Sequence, residues 1–408
     1  MKILTLCLCV AAASSACLAQ GGADKPLAQV VKGNNEFMVD VYKKLAAKDG
    51  NIFFSPTSIH TALAMTCAGA AGQTAAEMEK ALHLDASREK TLAAFAELMK
   101  SVNDPGLVGG KPPYQLVMAN ALWGQKGYPF KADYKQTIGK NFQASFSELD
   151  FKQPEPARAT INDWVARQTK DKIKDLIPQG VLGEKTRLVL TNAIYFKSNW
   201  GQEFNKDSTR DLPFALSANK KVDAPMMNQE HRMGYMEDDE IQAIDLPYNM
   251  QALSMVIVLP RKVDGLAAVE KGLTAQRLQK VFKDMKHVPV NVTMPRFTFS
   301  SQFSMADMLK ELGMALAFDP DKADFSGMAD PGGENLFLYA VLHKAFVAVD
   351  EKGTEAAAAT AIMVGATAMP VPQEPKIFKA DHPFIFLIRH NQTGEILFAG
   401  RLADPKAK

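Results

Sequence analysis

The segment Arg187–Lys197, RLVLTNAIYFK, is apolar at most positions and does not alternate. A strand with one face in water alternates polar with apolar. A run of this kind belongs to a central strand buried on both faces. It therefore demands at least one large, covered sheet. Strand-like runs follow at Leu253–Leu259, Val288–Phe299, Leu336–Val349, Phe384–Arg389 and Ile396–Leu402. The segments ahead of Arg187 read differently. Asn34–Lys48 carries Phe37, Val41 and Leu45 at helical spacing. Ser58–Ala70 and Thr74–Leu84 read as helices joined by a glycine turn at Gly69–Gly72. Arg88–Val102 is another, with Leu92, Phe95 and Leu98 on one face. Ala157–Ile177 is amphipathic through Ile161, Trp164, Val165, Ile173 and Ile177. Helices first and strands later predict an α+β fold. No repeat and no long Pro/Gly/Ser linker divides the chain, and VNDPGLVGGKPP (Val102–Pro113) is only a loop. One domain is expected.

With 408 residues, 47% of them hydrophobic, such a domain can bury a large core. It has to, because cysteine offers little help. Cys7, Cys9 and Cys17 lie in or beside an N-terminal targeting pattern, which leaves Cys67 as the one cysteine expected in the mature chain. In its apolar setting Cys67 reads as a buried free thiol, a small hydrophobe. The targeting pattern is Lys2, the apolar run Ile3–Ala13, then Ser14, Ser15 and Ala16. That is the order of a secretory signal, and the run is too short to span a bilayer. Residues 1–19 are expected to be removed near Ala19, leaving 20–408 as a secreted, extracellular or periplasmic protein. Cleavage before Cys17 would instead leave a cysteine able to carry a lipid anchor. The net charge of +2 calls for neither nucleic acid nor an anionic membrane.

Catalytic motifs are missing. There is no G-x-S-x-G elbow, no H-E-x-x-H and no C-x-x-C. Gly69-Ala-Ala-Gly72-Gln-Thr74 lacks the lysine of a phosphate loop and reads as a turn. The histidines are scattered, and a triad assembled in space is the one route to an enzyme left open. No enzyme activity, no metal ion and no cofactor is expected.

One stretch resists assignment. Ala356–Gln373 runs eighteen residues without a charge. Its alanine-rich front half favours helix. Ile362, Val364, Gly365, Pro370 and Pro372 in its back half favour strand or loop.

Separated segments around it resemble the serpin family. They are NIFFSPTSI (Asn51–Ile59), LTNAIYFKSNWGQEF (Leu190–Phe204), MPRFTFSSQFSMADMLKELGM (Met294–Met314), ADFSGM (Ala323–Met328), LHKAFVAVDEKGTEAAAATA (Leu342–Ala361) and FKADHPFIFLI (Phe378–Ile388), followed by GEILFAGRL. The similarity covers roughly Gly33–Pro405 and preserves the order of the segments. It implies three β-sheets, eight or nine helices and an exposed reactive-centre loop, here about residues 351–376. It also implies suicide inhibition of a serine, sometimes a cysteine, protease outside the cell, by a monomer. The cleaved loop would enter the largest sheet as a new strand, carrying the acylated protease with it.

The sequence can be checked against that demand. If Thr354 points inward, so do Ala356, Ala358, Thr360, Ile362 and Val364. The outward set is then Glu355, Ala357, Ala359, Ala361, Met363 and Gly365. The single charge falls outside, and no proline precedes Pro370. The hinge from Gly353 to Thr360 thus suits insertion. Fourteen residues of strand span ~46 Å, most of the diameter of a chain this size. In inhibitory relatives the scissile bond follows the fourteenth residue after the hinge glycine, which here is Thr367–Ala368, good to about two residues. No Lys or Arg lies between Gly353 and Glu374. Elastase-like or subtilisin-like pockets are expected to accept this bait, and trypsin-like pockets to refuse it. The resemblance also implies a polar cluster under the sheet (Ser55, Ser58, Asn192, His343) and a second where insertion starts (Trp200, Arg296, Glu351). Lys80, Arg88, Lys90 and Lys100 are too dispersed for a heparin site. The alternative function is a noninhibitory binding or chaperone-like protein on the same fold.

Overall fold

The computed structural model describes residues 25–107, 110–330, 335–354 and 373–407. The helices are α1 (Pro26–Ala46), α2 (Pro56–Cys67), α3 (Gly72–Ala81), α4 (Arg88–Asn103), α5 (Ala132–Phe142), α6 (Pro154–Gln168), α7 (Leu266–Lys271), α8 (Ala275–Asp284) and α9 (Ala306–Glu311). The strands are β1 (Ile52–Phe54), β2 (Gln115–Gln125), β3 (Ser145–Leu149), β4 (Leu188–Asn199), β5 (Arg210–Ser217), β6 (Lys220–Glu237), β7 (Ile241–Pro247), β8 (Leu253–Pro260), β9 (Lys286–Pro295), β10 (Phe297–Ser304), β11 (Ala340–Asp350), β12 (Gly353–Thr354), β13 (Lys376–Lys379), β14 (Phe384–His390) and β15 (Ile396–Leu402).

The strands form two hydrogen-bonded networks. One is six-stranded, β10-β11-β12-β4-β2-β3. The other runs β1-β15-β14-β8-β7-β6-β9-β13, with β5 beside β6. The long strand β6 holds the larger network together. Its first part pairs with β5 and β9, and its last residues turn to β7. The fold is α+β; where the resemblance implies three sheets, the described strands form two hydrogen-bonded networks, because β6 joins the pairings of β5, β7 and β9 into one.

β4 is buried on both faces. Leu188, Leu190, Ile194 and Phe196 join the large core between the sheets, while Val189 and Ala193 join a smaller one under α6. That second core takes Ile161 and Val165 from α6 and Ile173, Leu176 and Ile177 from the segment after it. The amphipathic pattern read from Ala157 to Ile177 is thus not one helix. Gln168 ends it, and Lys170 and Asp171 take positive φ of 52° and 62°. The apolar residues beyond are buried by an irregular segment of turns and bends, tied down by Asn162, whose side chain bonds both the N–H and the C=O of Ile177. Val288–Phe299 likewise divides. Arg296 breaks it into β9 and β10, which belong to different sheets.

α2 lies wholly inside, every residue from Pro56 to Cys67 buried. Ser55 caps it, accepting from the Ser58 N–H at 3.1 Å. Cys67 is free and buried, and burial pushes its thiol up to about 12. Beside α2, Phe53 stacks between Phe398 (5.1 Å) and Phe386 (5.7 Å).

Candidate functional site

The six-stranded sheet is joined differently along its length. Over their lower halves β11 and β4 pair directly and in parallel, Ala340–Ala345 against Val189–Ile194. Above that, β12 lies between them and is antiparallel to both. Thr354 stands opposite Val349 and Ser198, and Gly353 opposite Asp350 and Asn199. The chain reaches this slot through a tight turn at Glu351-Lys352, which the Asp350 carboxylate holds by accepting from the N–H groups of Lys352 (2.8 Å) and Gly353 (3.2 Å). Only glycine fits at 353. Its φ is +154°, and a Cβ there would sit 2.2 Å from the Ser198 carbonyl oxygen. Thr354 is 2% exposed and its side chain points into the core. Glu355–Thr360, and Thr367 and Ala368 of the expected scissile bond, lie outside the described residues, as does the N-terminal segment with Cys17.

Trp200, Arg296 and Glu351 meet at this upper end. The Trp200 indole N–H donates to the Asp350 carbonyl (2.9 Å) and its backbone N–H to that of Lys352 (2.8 Å). Its ring stacks on Tyr248 at 4.7 Å and 8°. The Glu351 side chain is 3% exposed, and its carboxylate accepts from Thr209 Oγ1 at 2.8 Å and Arg296 Nη1 at 3.4 Å. Burial opposes ionisation of Glu351, but its own backbone N–H, Thr209 and Arg296 outweigh it and hold the carboxyl below its usual range.

Ser55, Ser58, Asn192 and His343 also come together, in a buried row beneath the middle of the sheet. Asn192 is directly paired with His343 on one side and with Asn120 on the other. Asn192 Nδ2 donates to Ser58 Oγ and Asn120 Oδ1, each at 2.6 Å. Ser58 Oγ donates to Asn120 Oδ1 at 3.0 Å, and Ser55 Oγ to the Leu397 carbonyl at 2.7 Å. His343 Nε2 accepts from the Ser55 N–H at 3.2 Å, which assigns the proton to Nδ1, facing Asn192 Oδ1. Burial pushes the imidazole down to about 3, so it is neutral. Asn120 escaped the sequence reading. Its signal was a buried-type amide inside the apolar run MANALWG.

Among the described residues no group of three or more His, Cys, Asp and Glu is placed to hold a metal ion. His382 has a carboxylate partner, Asp381, at 2.9 Å, but its other nitrogen is engaged by the Pro260 carbonyl at 2.8 Å.

The Serpin (serine protease inhibitor) family profile matches residues 32–405. The leukocyte elastase inhibitor of Equus caballus is 42% identical over 390 residues, 92% of this chain and 100% of that protein. An uncharacterized serpin-like protein of Thermococcus kodakarensis is 42% identical over 386 residues, 94% of this chain and 87% of that protein. Among solved structures, human thyroxine-binding globulin superposes with a TM-score of 0.83 at 28% identity, over 94% of this chain and 100% of that one. With the profile spanning nearly all the described fold, and with a sheet whose top already admits a short extra strand, this chain belongs to the serpin family.

Proposed function

We propose that this protein is a suicide-substrate inhibitor of elastase-like or subtilisin-like serine endopeptidases, acting by insertion of its cleaved loop between β11 and β4. The observation that carries this reading is the seating of Gly353 and Thr354 between those strands. Their register, continued downward, defines where each later residue would lie. Ala356 would fall between Val347 and Phe196, Ala358 between Ala345 and Ile194, and Thr360 between His343 and Asn192. All are inward positions. Glu355, facing outward, would lie beside Lys197. Insertion to Thr360 would part the His343–Asn192 contact, and a threonine hydroxyl suits that polar row. Likeness to the leukocyte elastase inhibitor supports the choice of protease class.

In the proposed sequence the protease serine attacks the Thr367 carbonyl, the Ala368 amine leaves, and an ester to Thr367 remains. Insertion then competes with hydrolysis of that ester. Drawn to the far end of the sheet, the protease loses the alignment of its triad and oxyanion hole. The polar row and the Glu351 cluster would act as gates on sheet opening. The proposed place of action is outside the cytoplasm, on the strength of the Lys2–Ala16 pattern.

The test is incubation with elastase, subtilisin and trypsin. SDS-stable complexes are expected with the first two, and a released peptide starting within two residues of Ala368. Trypsin should form none by cutting within the loop; a stoichiometric trypsin complex joined there would sink the specificity. Cleavage without complex, and without a gain in thermal stability, would identify the noninhibitory alternative.

The gating role makes its own prediction. Glu351→Lys removes the acceptor for Thr209 and sets a cation beside Arg296, at a cost of about 2–3 kcal/mol. Loss of the gate should loosen the sheet top, so that mild heating yields ladders of polymers on native gels while the parent stays monomeric. A monomeric, fully active Glu351→Lys protein would remove Glu351 from the gate.

A further inference from the structure

Insertion has a register problem. Side chains alternate faces, so a one-residue slip exchanges the two faces entirely. A slipped hinge would drive Glu355 into the core. Ala356–Ala359 cannot prevent this, because four alanines look alike on both faces. The information must come from the residues already seated. Gly353 supplies a steric part, since no other residue fits against Ser198. An attractive part comes from the opposite sheet.

Tyr248, just beyond β7, is fully buried. Its ring stacks on Trp200 and meets Phe196 edge-on at 5.3 Å. Its N–H donates to the Leu253 carbonyl at 2.9 Å. Ring and backbone are therefore held in place. Its hydroxyl lies 2.6 Å from Thr354 Oγ1, both atoms shielded from water. Thr354 need not leave this contact during insertion, since its pairing with Val349 and Ser198 is that of an inserted strand. The bond thus does not lock the sheet shut. We propose that Tyr248 is a positioning residue that clamps Thr354 in the single register from which the cleaved loop zips in with Glu355 outside. This rests on the insertion reading above. The clamp shortens the search for register, and so favours trapping over release of the cut inhibitor.

The test uses Tyr248→Phe, which keeps the aromatic stack, Thr354→Val, which keeps the shape, and the double variant. In the intact protein, hydrogen exchange at the Gly353 and Thr354 amides should quicken about five- to tenfold in either single variant. The double variant should show little more, because the hydroxyls act as a pair. With an elastase-class protease, the inhibitor consumed per protease trapped should rise several-fold in each single variant. Unchanged exchange in Tyr248→Phe, or effects that simply add, would overturn the clamp. If the wild-type protein is cut without trapping protease, the inhibitory reading falls, and the exchange measurement still decides the clamp.

Discussion

A Thr354→Arg protein is expected to be cut at the same bond as its parent and to trap almost none of the protease that cuts it. Thr354 is buried between Val349 and Ser198, under the Trp200–Tyr248 stack. An arginine head there would be an unpaired buried charge, costing several kcal/mol. The hinge would be expelled, and insertion would have to begin by burying that charge. Ester hydrolysis in the protease is unaffected by the change. A barrier higher by about 3 kcal/mol slows insertion by roughly a hundredfold, which is enough to let hydrolysis win. Titration of elastase followed on SDS gels should then show cleaved inhibitor and free, active enzyme. Glu355→Gln, one residue on and on the face that alternation would turn outward in an inserted strand, is the control and should trap as well as the parent. Equal complex formation by Thr354→Arg would overturn the insertion mechanism rather than adjust it.

The second large effect concerns pH. Glu395, just ahead of β15, is fully buried. Its Oε1 accepts from Thr57 Oγ1 at 2.9 Å, while its Oε2 has no hydrogen-bond partner among the described residues. The same Thr57 hydroxyl and Asn34 Nδ2 both reach the Ile396 carbonyl, and Asn34 Oδ1 is also without a partner among the described residues. Burial pushes the Glu395 carboxyl up to about 8, against a smaller opposing effect of Thr57. It is therefore protonated at neutral pH in the folded protein. The sign follows from linkage. The folded state binds this proton more tightly than the unfolded state, so stability falls as pH rises from the ordinary glutamate value to about 8, then levels off. The loss is on the order of several kcal/mol. Glu395→Gln keeps the shape without a titrating proton. Between pH 5 and pH 8.5 the parent should lose roughly 5 °C of thermal midpoint relative to that variant. Parallel curves would show that Glu395 ionises normally. Because Thr57 sits between Ser55 and Ser58 in the buried polar row, rising pH should also bring on heat-induced polymers sooner in the parent.

Much of the frame was legible because it rests on local pattern. β14 begins and β15 begins and ends where the apolar runs do, and α4 begins where its periodicity does. β4 was recognisable as a two-faced strand from composition alone. The long strand β6 was not, since Lys220–Glu237 mixes polar and apolar residues without alternation and is held by its neighbours β5 and β9 rather than by its own propensity. The end of α6 is not legible, because the apolar residues after Gln168 keep a helical spacing although the backbone there turns left-handed.

At the site the division is sharper. The sequence alone determined the family through ordered motifs, and it determined which residues after Gly353 would share a face in a strand, because alternation is a property of any strand. The tertiary structure alone decided that Gly353 and Thr354 lie between β11 and β4, and in which register. It alone brought Asn120 into the polar row and set the Tyr248 hydroxyl against Thr354, 106 residues away in the chain. Periodicity carries information over a few residues. Contacts between sheets depend on how separate elements pack, and no local pattern records them.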